Sequence, residues 1–488
     1  MRRVRVILLL SALFALFLTM PAWGGGMGTL GVGAKAKAMG GSFRAIADDW
    51  SAAYYNPAGL FYVTENQITI NEAITNFRFK YSPSVNMNGY PIGFYEGEIY
   101  NRYEVLTNPT LGGFFKMPVK NKDFVFGLAI FQPFDMNNSW EVFGSLNNEA
   151  NLPGQQIEHN FDAVAINAVV ALELVENKLS LGLSGGVLKG DLNYGGFFLR
   201  DNPADPNAAY YEDIASRPNN LVTEWQKTDG NGVGANLRVG VLAKPTPKIS
   251  FGLSYAMKST ITIDGDADFN FYMPYIPYYN SNFPDSADYI LTSGAVYTNS
   301  GSFETEVTLP AQFAAGIALQ VTDKLLVAGD LEYTFWQDFE GYVFKYTLPD
   351  PNLTRSARIN TWAAESMSVP VDWDNTLRGS IGLQYDYSEM IKLRCGYAAD
   401  QTPVKYGTMT PAFFDTGLKH SFNLGLGLVF ENVRLDISTE YLHYPESIEA
   451  GNTYLEDANG DTDTIFDNMA GTYKGSAIES IVQFTYRF

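Results

Sequence analysis

The chain ends on "SAIESIVQFTYRF", Ser476 to Phe488. One parity of this stretch reads Ile478, Ser480, Val482, Phe484, Tyr486 and Phe488; the other reads Ala477, Glu479, Ile481, Gln483, Thr485 and Arg487. A strand sends alternate side chains to opposite faces, so the segment has one aromatic-aliphatic face and one mostly polar face. Three earlier stretches repeat the pattern. Val433, Leu435, Ile437 and Tyr441 alternate with Arg434, Asp436, Ser438 and Glu440; Phe422, Leu424, Leu426, Leu428 and Phe430 with Ser421, Asn423, Gly425 and Gly427; Leu377, Ile381, Leu383, Tyr385 and Tyr387 with Arg378, Ser380, Gln384 and Asp386. Charges recurring on the inner face are costly in a dry sandwich core but acceptable in a wet lumen. The expected fold is therefore all-β, a transmembrane antiparallel β-barrel.

The connections support this and set the count. Six very short polar turns, at 121, 176, 245, 322, 388 and 431, separate strand-like runs. Between them lie longer stretches near 135–157, 196–231, 266–302, 347–370 and 446–473. Tight turns at one rim and long loops at the other are the outer-membrane arrangement. Six hairpins, a first strand near 66–81 and the C-terminal strand make about 14 strands, with a barrel spanning 65–488. The terminal Phe488 resembles the signal that the barrel-insertion machinery reads, which names that machinery as a partner.

Composition excludes other classes. Arg2, Arg3 and Arg5 precede an apolar run of 13 residues, Val6 to Leu18, and Ala22 to Gly24 supplies small residues for cleavage. Residues 1–24 therefore read as a signal peptide, and the protein as exported. Its removal takes the net charge from −20 to −23, which excludes nucleic acid as a partner. Cys395 is the sole cysteine, so neither a disulfide framework nor a multi-cysteine metal site exists, and its parity places it towards lipid. His159, His420 and His443 stand far apart, and no Gly-x-Ser-x-Gly nucleophile motif occurs. The acidic runs at Asp264 and Asp457 lack the glycine and glutamate of a calcium loop and read as solvated. No cofactor, metal or enzymatic activity is expected.

Residues 25–64 do not alternate. They are rich in glycine and alanine and contain "AIADDWSAAYYNPAGL", Ala45 to Leu60. At the rim of a wide barrel such a segment hangs free, docks on the rim or folds into the lumen. Asp48 and Asp49 point opposite ways on an extended chain and make a poor catalytic pair. Lumen arginines or lysines are their expected partners, and Gly31, Gly33, Gly40 and Gly41 are backbone-permissive points.

The stretch "GVGAKAKAMGGSFRAIADDWSAAYYNPAGL", Gly31 to Leu60, with Leu309 to Phe339 and "LRCGYAADQTPV" at Leu393 to Val404, resembles the outer-membrane long-chain fatty-acid and hydrophobic-compound transporters (FadL-type, including TodX-like channels). The resemblance implies a 14-stranded barrel in the bacterial outer membrane, with residues 25–64 as an N-terminal hatch in the lumen. It implies passive transport of a hydrophobic small molecule, a fatty acid or aromatic hydrocarbon, with sideways exit among outer-membrane lipids. The family's hatch turn falls on Asn56, Pro57 and Ala58, followed by Gly59. Its capture groove falls on the loops near 196–231 and 266–302. The first holds Phe197, Phe198 and Leu199. The second holds Phe269, Phe271, Tyr272, Tyr275, Ile276, Tyr278, Tyr279 and Phe283, an aromatic density that marks a binding surface. Two other readings of such a barrel are a surface adhesin or receptor and an outer-membrane hydrolase.

Overall fold

The computed structural model describes residues 31–63, 65–84, 92–94, 97–102, 105–119, 122–145, 157–201, 221–273, 294–348, 364, 367–405, 408–449 and 469–488. The expected signal peptide, 1–24, lies outside them. Fourteen strands follow one another around a closed antiparallel barrel. They are β1 (Gln67–Pro83), β2 (Val105–Val119), β3 (Lys122–Trp140), β4 (Ile157–Val175), β5 (Leu179–Asp201) and β6 (Leu221–Thr246). Then come β7 (Ile249–Ala256 and Ser259–Tyr272), β8 (Val296–Leu309 and Gln312–Thr322), β9 (Leu325–Thr334 and Gly341–Thr347) and β10 (Met367–Pro370 and Thr376–Asp386). The last are β11 (Ile391–Gln401), β12 (Leu418–Val429), β13 (Val433–Glu449) and β14 (Gly471–Arg487).

Closure is made by β14 on β1, an unbroken ladder from Gln67↔Arg487 to Pro83↔Gly471. The six tight turns all join neighbouring strands. The alternation holds as read: Ile478 and Val482 are 53% and 50% exposed on the outer surface, while Glu479 and Gln483 beside them are 3% and 1%. The barrel is thus apolar outside and polar inside, with Asp436, Arg394, Glu440 and Asn423 among its buried residues. Cys395 is exposed, on the outward parity.

Two features depart from the sequence reading. First, the strands run further than expected. β5 and β6 stay in register up to Asp201↔Leu221, so the connection shrinks to 202–220. β7 continues through Phe269 and Phe271 to Tyr272 before the first proline, Pro274, because Ala267, Phe269 and Phe271 still alternate with Asp266, Asp268 and Asn270. Second, four adjacent strands are interrupted: β7 at 257–258, β8 at 310–311, β9 at 335–340 and β10 at 371–375. Pro310 removes a ladder donor there, and Trp336 turns into the interior on a short 3₁₀ turn. Substituting Val482 by arginine should cost about 2–4 kcal/mol in denaturant refolding titrations in liposomes, the penalty for a cation at the lipid midplane.

Candidate functional site in the barrel lumen

Residues 31–63 lie inside the barrel and bond to its inner wall on many sides. They form α1 (Ala34–Ala38), α2 (Ala52–Tyr55) and a 3₁₀ turn (Pro57–Tyr62). Helices this short are held by contacts rather than by propensity. The backbone N–H groups of Gly31 and Ala34 donate to Glu479 and Gln483 of β14 at 2.9 and 3.0 Å. The N–H groups of Phe43 and Arg44 both donate to Asp330 of β9 at 2.9 Å. Ser180 of β5 and Ser250 of β7 donate to the carbonyls of Ala58 and Ala45 at 2.8 and 2.7 Å. Trp50 Nε1 donates to Gln483 at 3.0 Å.

Ion pairs reinforce the seat. Lys37 lies 2.7 Å from Glu440 of β13 and 3.1 Å from Glu479. The fully buried Arg44 pairs with Asp330 and Glu332. The wall supplies the acids and the segment the cations. Among the described residues Asp48 meets no wall cation at bonding distance: it bonds Lys35 of its own segment at 2.6 Å. Burial alone would raise its carboxyl, but Lys35, then Arg434, outweighs this and holds it down at about 2. Asp49 accepts from the N–H and hydroxyl of Ser51 at 2.9 and 2.6 Å, and burial followed by the Asp48 charge pushes its carboxyl up. Both acids brace the segment internally.

The Asn56 to Gly59 turn is held in the same way. Asn56 donates to the carbonyls of Arg44 and Val241 at 2.8 and 3.0 Å and accepts from the N–H of Ala58, with Pro57 opening the 3₁₀ turn. The wall is thinned to receive it: a Cβ on Gly240 would stand 2.0 Å from Asn56 Oδ1, and one on Gly182 2.2 Å from Ala58 N. Inward glycines recur at other contacts, with Gly252 against Arg44 O and Gly396 against Met39 and Gly40. At Gly40 and Gly41 the φ angles of 66° and 80° permit the reversal after α1.

Above the segment lies a cavity of about 140 Å³. Lys37, Arg44, Tyr54 and Tyr55 bound it on the segment side, and Phe134, Trp336, Asp415 and Tyr444 on the others. Between β11 and β12, residues 408–417 fold inward over it. Phe414 stacks on Phe79 at 4.2 Å, Ala412 O contacts His159 Nδ1 at 2.9 Å, and Asp415 pairs with Lys419 at 2.8 Å. No periodicity distinguishes this stretch in the sequence, and only its apolar "PAFF" core hinted that it turns inward.

A continuous series of aromatic contacts descends from the expected capture region. Phe271 stacks on Phe269 at 5.9 Å, and Phe269 meets Tyr346 at 5.0 Å. Tyr346, Phe344, Tyr342 and Phe339 follow along β9 and its interruption. Trp373 and Trp336 continue it at 4.8 and 5.3 Å, and Trp336 touches Phe134 of β3 at 6.1 Å. Phe269 and Phe271 are thus wall residues facing inward; Tyr272 is half-buried. Phe197, Phe198 and Leu199 lie in β5, opposite Trp225, Glu224 and Thr223. Tyr275, Ile276, Tyr278, Tyr279 and Phe283 lie outside the described residues, as does the acidic run from Asp457.

The series ends where the wall is incomplete. β2 and β3 pair only from Val119↔Lys122 to Leu111↔Ile130. Beyond this β3 bulges at Gln132 and Pro133, shifting its register on β4, and it meets the chain before β2 again only at Asn101↔Trp140. Residues 105–110 of β2 have no ladder partner on that side among the described residues. Proline stands at both edges, Pro109 and Pro133, where a missing N–H loses no bond. Gln132 Nε2 holds the bulge by donating to Asp135 and Asp162 at 3.1 and 2.7 Å. Behind it a small pocket of about 30 Å³ is lined by Phe131, Phe134 and Arg238. Arg238 is 7% exposed, lies 4.6 Å over the Tyr54 ring, donates to Gln312 at 3.0 Å, and keeps one terminal nitrogen unbonded and no carboxylate partner among the described residues.

A closed antiparallel barrel of this size has counterparts among known proteins. The sequence profile described as outer membrane protein transport protein (OMPP1/FadL/TodX) matches residues 17–488. The chain belongs to this family. It is an outer-membrane transport protein and not an enzyme. A putative outer membrane protein of Neisseria meningitidis serogroup B is 21% identical over 99% of this chain and 98% of its own length. The structure of a Pseudomonas aeruginosa FadL homologue is similar with a TM-score of 0.73 at 17% identity, covering 95% of this chain and all 100% of the homologue. The toluene transporter TodX of P. putida gives 0.63 at 15% identity over 93% and 97% of the two chains. Arg44→Ala should leave Asp330 and Glu332 buried and unpaired at a cost of about 3–5 kcal/mol. Trypsin should then cut the folded barrel at Lys35 or Lys37, and conductance in planar bilayers should rise.

Proposed function

We propose that this protein carries hydrophobic small molecules, long-chain fatty acids or aromatic hydrocarbons, passively across the outer membrane and releases them sideways between β2 and β3. Residues 31–63 act as the hatch that keeps the route from opening into the periplasm. The carrying observation is the unbroken ring series from Phe271 to Phe134, which ends at the unpaired seam. An apolar solute gains affinity from such a surface, which a water-filled pore does not offer. Lateral release delivers it to lipid and avoids the aqueous periplasm.

The relatives named as a toluene transporter and a monoaromatic hydrocarbon channel share this fold and support the class. Arg238 favours the fatty acid within it. A buried guanidinium with a spare donor beside the seam suits a carboxylate, and charge-assisted bonds of this kind contribute about 1.5–3 kcal/mol. Arg378 and Lys419 are poorer candidates, since Arg378 donates to Gly40 O at 2.7 Å and Lys419 is held by Asp415. Lys227 is likewise taken, pairing with Glu158 at 3.3 Å, and Arg217 lies outside the described residues.

Deleting Pro133 removes the one extra residue of the bulge and should let β3 pair onward with β2. Uptake of both oleate and toluene should then fall at least about tenfold in cells, with the barrel still heat-modifiable on gels; unchanged uptake would exclude the seam as the exit. Arg238→Gln should weaken oleate binding about tenfold, equivalent to 1.4 kcal/mol, and leave toluene uptake unaltered. Wild-type oleate affinity in that variant would remove Arg238 from the route.

A further inference from the structure

The outward face of β1 reads Ile68, Ile70, Glu72, Ile74. Ile68 and Ile74 are 46% and 47% exposed on the lipid side, and the cross-strand neighbour of Glu72 on β14 is Val482, also lipid-facing. Glu72 is therefore an acid set among aliphatic side chains in the membrane band. Both its carboxylate oxygens are buried and bond no atom of the described residues, and no cation pairs with it among them. An ionisable group in lipid is expensive and marks a functional site unless a partner explains it. The inward side gives no such explanation, because Asn71 makes the contacts there, to Gly31 O and Thr110 at 2.7 and 2.8 Å.

Its position supplies the missing partner. On the other side Glu72 pairs in register with Pro109, within the stretch of β2 that borders the seam. Glu72 thus stands one strand, about 5 Å, from the outer lip of the seam. It is level with the lower end, where Leu111↔Ile130 closes the wall. A molecule leaving sideways enters the leaflet tail first or head first, and in either case its head passes this lip.

We infer that Glu72 is a lipid-side binding residue for the head of the released molecule, its side chain turning outward to bring the buried oxygens within reach of that head. The class it takes is a long-chain amphiphile with an O–H head, a protonated fatty acid or a long-chain alcohol, whose hydroxyl donates to the carboxylate. A bare aromatic hydrocarbon makes no such bond. This rests on the lateral release proposed above.

The test compares uptake of oleic acid, oleyl alcohol and toluene by the full-length protein in proteoliposomes. Glu72→Leu should fold at least as stably as the parent. It should lower uptake of oleic acid and oleyl alcohol about fivefold, the worth of one hydrogen bond, and leave toluene unchanged. Glu72→Gln, which keeps an acceptor, should recover most of the rate. Undiminished uptake of both O–H probes by Glu72→Leu overturns the inference. So does an equal loss for toluene, which would place Glu72 in the wall's own structure, or a changed oligomeric state in micelles, which would place it between copies. The Pro133 deletion run alongside separates the two readings. If it blocks all three probes while Glu72→Leu blocks none, only the role of Glu72 fails; if it blocks none, lateral release fails and the inference with it.

Discussion

Lipid offers no hydrogen bonds to a peptide group, so each backbone N–H and C=O within the membrane needs a partner in the protein. The ladder of β14 on β1 meets this requirement by leaving no free edge. Once the sheet closes, the polarity of a soluble protein inverts: Leu424 and Ile381 face out, and Glu479, Asp436 and Arg394 face in. Buried wall acids then need cations, because an unpaired carboxylate is costly away from water. The N-terminal segment supplies them through Lys37 and Arg44. Closure thus creates both the lumen and the charge pattern that seats its contents.

The seam between β2 and β3 is the departure from that rule, and its residues are adapted to it. Pro109 and Pro133 lack the N–H that would be orphaned, and the Gln132 amide holds the bulge. Opposite the seam, the interruptions of β7 to β10 let Trp336 and Phe339 reach the interior, and the aromatic series crosses the lumen there. In the proposed route the seam and the interruptions act together, one as the exit and the other as a surface that leads to it.

Much of this was legible locally. The two faces of every strand, the six turns and the irregular N-terminal segment all follow from period-two alternation and its absence. The loops are shorter than the alternation predicts, because β5 to β8 continue outward beyond the apolar band. There the outward positions turn acidic, as at Asp264, Asp266 and Asp268, while the inward ones stay apolar. The inward fold of 408–417 leaves no periodic trace in the sequence. Extended backbone predicts a distant cation for Asp48, yet Lys35 thirteen residues earlier reaches it because Gly40 and Gly41 turn the chain back.

The sequence by itself determined that this is an outer-membrane barrel with an apolar exterior and a polar interior. Each of those properties depends on neighbours within a few residues, where side-chain alternation and turn chemistry act. Only the tertiary structure decided which wall acids meet Lys37 and Arg44, where the ladder opens, and that Phe271 connects to Phe134. These contacts join residues far apart in the chain, and the register and stagger of the closed barrel set which of them face one another.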